Sequence, residues 1–374
     1  MLFGPRLRWD LTMNCNLACR HCQVGDKISH RGNHPSLEEV LAVLDRLGPK
    51  VISQVGLLGG EPLSYPHIHL VLEMLMDKTL PVTISTNGLL IDERLIDLTR
   101  ESVGWSIMVS IDGPDRETHE MIRGAGTFEP TMEKIRLLVK RLQGKGPTVG
   151  MACTLNALTI KRMGDMLRLA RELEVNILQF GIIKNHGNAA RCYDRLGVNQ
   201  TILVSALLDW FKAGPPNPKG NGLTIIIDFW DNLIIDLVDH YLGISLPPTF
   251  SGCTAASATA ALDCQGRLWP CPSLSYTSNP KILDYFAFGE NSLARKSFEE
   301  IWQSTGFKKL RELNARRLHA QMAIPCSTCR HSSLCAPCPL PYILDESLDQ
   351  VHCTDKINMI AESPKHLFKY QGYS

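Results

Sequence analysis

Three cysteines, Cys15, Cys19 and Cys22, fall within eight residues in the segment NCNLACRHC. Thiolates this close can wrap one metal cluster with little loop-closure cost. A four-iron cluster normally takes four thiolates, so three leave one iron open to an outside ligand. Zinc is the alternative and wants a fourth protein ligand. His21 is on offer, but its place between Cys19 and Cys22 keeps it from easily reaching the same metal. A second group follows Cys253: Cys264, Cys271, then Cys326-x2-Cys329-x5-Cys335-x2-Cys338, then Cys353. Alone, Cys326, Cys329, Cys335 and Cys338 suit a four-cysteine zinc ribbon, which leaves the other four unexplained. Two four-iron clusters are the alternative. Cys153 and Cys192 have no cysteine nearby and read as small buried hydrophobes.

The rest of the composition narrows the setting. The chain has 374 residues, 13 of them cysteine. Its start, MLFGPRLRWD, has no apolar core of a secretory signal. The most apolar stretch, 223–246, holds Asp228, Asp231, Asp236 and Asp239, which a bilayer would not accept. A cytoplasmic location is expected. Thiols there serve metals or catalysis rather than disulfides. A net charge of +1 argues against nucleic-acid binding and against a polybasic membrane anchor. The length exceeds the roughly 250–300 residues at which single cores stop growing, so one large domain and a smaller one are expected.

Strands must position the first cysteine group. Apolar, β-rich runs lie at 7–12, 55–58, 81–85, 105–111, 149–154 and 177–182. Helical signals lie between them: the capping box from Ser36 to Glu39, Asp92 ahead of Leu95, Ile96 and Leu98, and one face of Ile135, Leu138, Val139 and Leu142. Six strand–helix repeats imply a parallel sheet, either doubly wound or a partial (β/α) barrel. Small and polar residues follow the strands: the cysteine loop, then Gly59-Gly60-Glu61-Pro62, then Thr86-Asn87-Gly88 after Ser85, then Ser110-Ile111-Asp112-Gly113, then Asn185 to Asn188. Each alone is an ordinary turn. Several at one edge beside three cysteines mark the end where barrel enzymes place their chemistry.

Over residues 7–190 the sequence resembles the radical S-adenosylmethionine superfamily. Cys15, Cys19 and Cys22 match its CxxxCxxC. Gly59, Gly60, Glu61 and Pro62 match the GGEP-type motif that receives the methionine amino group. Ser110 and Asp112 match the strand-four motif near the ribose. Arg123 aligns with an arginine that related enzymes use on the methionine carboxylate. The resemblance implies a partial (β/α)6 TIM-type barrel, with Ser85 and Asn87 also at the cofactor. It implies an enzyme whose open iron chelates S-adenosylmethionine and whose electron splits it to a 5′-deoxyadenosyl radical. The Gly60 backbone amide, with Glu61 beside it, suits capture of a carboxylate and an ammonium.

Residues 250–355 resemble the SPASM extension of peptide-modifying radical enzymes, a small cysteine-rich α+β domain with two auxiliary clusters. The segment Ser297 to Trp302 fits its inter-cysteine helix. Carried over, the first auxiliary cluster takes Cys253, Cys271 and Cys338, with Cys264 as fourth ligand. The second takes Cys326, Cys329, Cys335 and Cys353. This makes three [4Fe-4S] clusters. The Cys335–Cys338 gap is two residues where three is usual, and Cys264 stands close to Cys271. The expected division is 1–190 barrel, 191–250 bridge, 251–355 SPASM domain and 356–374 tail.

The resemblance implies oxidation or cross-linking of a ribosomally made peptide. The alternatives are a small-molecule dehydrogenase or epimerase, a tetrapyrrole-pathway enzyme, and a non-enzymatic iron–sulfur or zinc protein. Flavodoxin or ferredoxin would supply the electron. With its first cluster cysteine at residue 15, no fused leader-binding domain is expected, so a peptide needs direct docking or a separate recognition protein. Formylglycine-forming relatives carry Asp after the cysteine matching Cys271; Pro272 here counts against that reaction. Cys153, at the end of the fifth strand, is a candidate hydrogen-atom donor if it reaches the cavity, although buried packing is the expectation.

Overall fold

The computed structural model describes residues 4–32, 34–142, 144–213, 222–228, 253–277 and 279–315. Cys326, Cys329, Cys335, Cys338, Cys353 and the expected tail lie outside the described residues.

Six parallel strands form where the apolar runs fall: β1 (Arg6–Thr12), β2 (Gln54–Gly59), β3 (Val82–Thr86), β4 (Ser106–Ser110), β5 (Thr148–Leu155) and β6 (Ile177–Ile182). Helices cross between them: α1 (Leu37–Arg46), α2 (Ile68–Asp77), α3 (Glu93–Thr99), α4 (Arg116–Arg123), α5 (Phe128–Leu142) and α6 (Met163–Glu172). The Ser36–Glu39 capping box is formed in both directions and starts α1. Asp92 caps α3 through the Leu95 amide. Alternation in β1 sends Leu7, Trp9 and Leu11 into the core. The inner face stays small and polar. Gln54 donates to Thr83, and Thr83 bonds Ser106, each at 2.9 Å across three strands.

The sheet runs past six strands at both edges. The bridging region supplies short α7 (Tyr193–Leu196), α8 (Gln200–Lys212) and β7 (Thr224–Ile227), which pairs in parallel with β6. The cysteine-rich segment supplies β8 (Thr259–Leu262), which pairs in parallel with β1, and β9 (Leu268–Trp269), antiparallel to β8. Then follow α9 (Pro280–Tyr285), α10 (Phe298–Trp302) and α11 (Thr305–Ala315). The order is β7-β6-β5-β4-β3-β2-β1-β8-β9, and among the described residues no pairing closes it. The fold is an unclosed α/β barrel. No helix among the described residues is long and apolar enough to cross a membrane.

Candidate active site

The loop after β1 carries the three cysteines and is pinned from several sides. Cys15 N–H donates to Ser29 O at 3.0 Å and Ser29 N–H to Met13 O at 2.8 Å. Arg20 N–H donates to Ile122 O at the end of α4. Asn188, beyond β6, donates its N–H to Cys22 O and its side-chain amide to Cys19 O. Asn87 donates to Asn16 Oδ1 at 2.7 Å. Three neighbouring loops therefore fix the cysteine loop before any ligand arrives.

Cys15, Cys19 and Cys22 line one cavity of about 430 Å³ with Gly59, Gly60, Glu61, Ser85, Asn87, Ser110 and Arg123. Burial pushes all three thiols up, Cys15 to about 12. A thiolate is held there only if a bound cation replaces its lost hydration, which an iron–sulfur cluster does. The donor set fits that group: three thiols, one space, and a remaining position for a ligand.

Two expected cofactor residues do not line the cavity. Pro62 is buried at the start of a short 3₁₀ turn. Asp112 is fully buried behind the wall. Its Oδ2 pairs with Arg123 Nε at 2.5 Å and His21 Nε2 at 2.9 Å, and its Oδ1 accepts Thr154 N–H at 2.7 Å. Burial alone would raise its carboxyl, but Arg123 and His21 outweigh that and hold it well below the usual carboxylate range. Asp112 thus orients Arg123, which does line the cavity, and ties His21 of the cysteine loop to the strand end. His21, by sequence a candidate zinc ligand, keeps its Nδ1 buried with no partner among the described residues.

The Gly60 amide, expected to capture a carboxylate, is already spent: it donates to Thr12 O at 2.7 Å. The two glycines serve approach instead. A Cβ on Gly59 would stand 2.2 Å from Thr12 O, and one on Gly60 2.2 Å from Asn14 O. Glu61 is buried and receives Leu63 N–H, Thr86 Oγ1–H and Asn87 N–H. Burial raises its carboxyl and these bonds oppose the rise.

Cys153 contributes to the cavity wall, yet it shares a strand face with buried Val149, Met151 and Leu155 and is 2% exposed. That is packing, as expected. Cys192 is not a buried hydrophobe: it is partly exposed, with Sγ 3.5 Å from Arg20 O, against the cysteine loop. Sequence reasoning also missed Asn188, although its turn was noted, because a pin to a distant carbonyl leaves no motif.

In the second group, Cys253 precedes β8 and Cys271 follows β9, on either side of the bond from Ala256 N–H to Pro270 O. Cys264 lies in the turn at the other end of this hairpin, about 13 Å away by strand length. Asp263 builds that turn, accepting from Gln265 N–H, Arg267 N–H, Arg267 Nε and Trp269 Nε1. Cys264 lines a separate cavity of about 380 Å³ with Asp10, His34 and Tyr276. On this hairpin Cys264 stands apart from Cys253 and Cys271, with which it was expected to share a cluster.

Known proteins agree with this geometry. The sequence model of the radical SAM superfamily matches residues 9–170, and that of the SPASM iron–sulfur cluster-binding domain matches residues 253–339. An AdoMet-dependent heme synthase of Methanosarcina barkeri is 23% identical over 90% of this chain and 92% of its own. Mycofactocin maturase MftC of Mycolicibacterium smegmatis is 25% identical over 88% of this chain and 76% of its own. SuiB of Streptococcus suis bound to its precursor peptide SuiA superposes with a TM-score of 0.64 at 14% identity, covering 85% of this chain and 70% of that one. The chain thus carries a radical SAM domain on the cysteine-bearing end of the sheet and a SPASM domain whose strand β8 pairs with β1.

Proposed function

We propose that the protein reductively cleaves S-adenosylmethionine and removes hydrogen from a ribosomally made peptide, oxidising or cross-linking it. The observation that carries this reading is the convergence of Cys15, Cys19, Cys22, Glu61 and Arg123 on one cavity. A four-iron cluster held by these cysteines would supply one electron to the sulfonium of S-adenosylmethionine, the chemistry that yields a 5′-deoxyadenosyl radical and methionine. The chain's own residues do the rest. The cysteines hold the cluster, and Arg123, fixed by Asp112, offers a cation to the methionine carboxylate. Gly59, Gly60 and Glu61 bring the strand-two turn against the loop, where backbone carbonyls receive the amino group. Ser85, Asn87 and Ser110 supply polar contacts on the inner wall. The walls of the barrel exclude water from the radical.

The peptide reading draws on the maturase relatives and the SuiB likeness. A second reading, a tetrapyrrole-pathway enzyme, is favoured by the heme synthase that matches over nearly its whole length. The proposal extends to cytoplasmic location, an outside one-electron donor of the flavodoxin or ferredoxin kind, a separate peptide-recognition protein, and two auxiliary clusters. Its ligands are then Cys253, Cys271 and Cys338 for one, with an open iron, and Cys326, Cys329, Cys335 and Cys353 for the other. The domain division at 190, 250 and 355 belongs to the same proposal.

Anaerobically reconstituted protein given dithionite and S-adenosylmethionine should release 5′-deoxyadenosine and hold about twelve irons. Replacing Cys15, Cys19 and Cys22 together by Ala should abolish the release and remove about four irons. Release that survives the triple replacement refutes the reading; stoichiometric zinc with about four irons refutes the auxiliary clusters.

A further inference from the structure

The cavity has a second wall that the cofactor reading does not use. Arg8 on the inner face of β1 and Lys184 just past β6 both line it, with Gln179 and Asp228. β1 and β6 are not neighbours: β2, β3, β4 and β5 stand between them in the sheet. Only the curvature of the barrel brings their side chains to one interior space. Both residues line that space, and among the described residues neither side chain has an ion-pair partner.

Two acids stand nearby, and their charges act on the pair: Asp228 on Lys184 and Asp10 on Arg8. Asp228 Oδ2 receives Gln179 Nε2 at 2.5 Å, and Asp10, next along the inner face of β1, receives Tyr276 O–H at 2.6 Å. The Lys184 ammonium is pushed below its ordinary value by burial and then by Arg8, so the two charges feel each other. Two like charges kept facing one walled space are costly until an anion enters between them.

We propose that Arg8 and Lys184 form a carboxylate-binding subsite, and that the substrate is an anion seated by its carboxylate in the cavity that the cysteine loop also lines. This rests on the radical reading above and narrows its substrate. The guanidinium offers a planar fork that matches a carboxylate, and the ammonium adds a point charge on a flexible stem. A peptide's terminal carboxylate and a tetrapyrrole's carboxylates present the same chemistry, and neutral counterparts of each separate the sources.

The test uses reconstituted holoprotein with S-adenosylmethionine. One pair of probes is coproporphyrin III and its tetramethyl ester. The other is a random peptide pool without Asp or Glu, ending in a free acid or in an amide. The acid of at least one pair should bind about tenfold or more tightly than its neutral form, the difference expected of a charged hydrogen bond. Arg8→Gln and Lys184→Gln should each weaken the acid about tenfold and leave the neutral form unchanged. The pair that responds identifies the source. Equal binding of acid and neutral forms, binding of neither acid, or acid affinity unchanged in both variants overturns the proposal. Variants that alter iron content or the cluster spectrum while keeping the acid-to-neutral ratio also overturn it, because the charges would then serve the clusters. Release of 5′-deoxyadenosine by the unaltered protein is measured separately, so the radical reading and the subsite fail independently.

Discussion

Asp112 sits where water does not reach and satisfies the Arg123 guanidinium, the His21 ring and a backbone amide at once. Removing its charge leaves Arg123, whose side chain is 10% exposed, without its anion. Breaking a buried pair from one side typically costs about 3–5 kcal/mol, far more than the pair contributes in net terms. Asp112→Asn should therefore lower the unfolding free energy by about 3 kcal/mol in urea titrations. A loss under about 1 kcal/mol would mean that Arg123 relaxes into the cavity and that Asp112 does not hold it. The residues of this end were legible because motifs sit at strand ends: three cysteines, two glycines, a serine and an aspartate in order. What each does was less legible. Asp112 was expected at the ribose and instead stands behind Arg123, since a strand spacing does not say which way a buried carboxylate turns. Arg8 and Lys184 carry no motif at all; they meet only because the sheet curves.

At the scale of elements, the junction of β2 with the cysteine loop is set by two glycines. A Cβ on Gly60 would meet only backbone: Asn14 O at 2.2 Å, Asn14 C at 2.7 Å and Met13 C at 2.9 Å. None of these is a side-chain tip that can swing aside, so the loop that bears Cys15 must move. Gly164, in α6, has nothing within 4 Å of the same atom. Gly60→Ala should cost about 1–3 kcal/mol, as overpacking does, and should lower iron bound per chain after reconstitution. Gly164→Ala should raise stability by up to about 1 kcal/mol through helix propensity and leave iron content alone. Equal iron in the two variants would show that the cysteine loop does not depend on this approach. The six expected strands and the capped helices were readable because their signals are local: the Ser36–Glu39 box, the apolar period of α5, the β-branched runs. β7, β8 and β9 were not. β8 is the four residues Thr-Ala-Ala-Leu, with no strong β-former pattern, and its partner β1 lies some 250 residues earlier, so its pairing is decided by tertiary contact.

The whole molecule is therefore less divided than its two cysteine groups imply. The auxiliary segment enters the sheet through β8 and is then strapped to β1 a second time. Lys27, just after the cysteine loop, donates to Tyr276 O at 2.7 Å, and Tyr276 O–H donates to Asp10 Oδ2 on β1. This strut ties catalytic loop, barrel strand and SPASM segment together, and it has a pH signature. Burial raises the Asp10 carboxyl from 3.8 to about 6, against the pull of Tyr276 and Arg8. A raised value means the folded state holds the proton more tightly than the unfolded chain. The contribution of Asp10 is thus greatest below 3.8, falls as pH rises, and levels off above about 6. Between about pH 4.5 and 7.5 the loss is about 2 kcal/mol. Asp10→Asn stays neutral, can still accept from Tyr276, and escapes this loss. Its unfolding free energy should gain about 2 kcal/mol on that of the unaltered protein across the interval, read from urea midpoints at each pH. Parallel pH curves for the two proteins would place the Asp10 carboxylate in water and remove it from the strut.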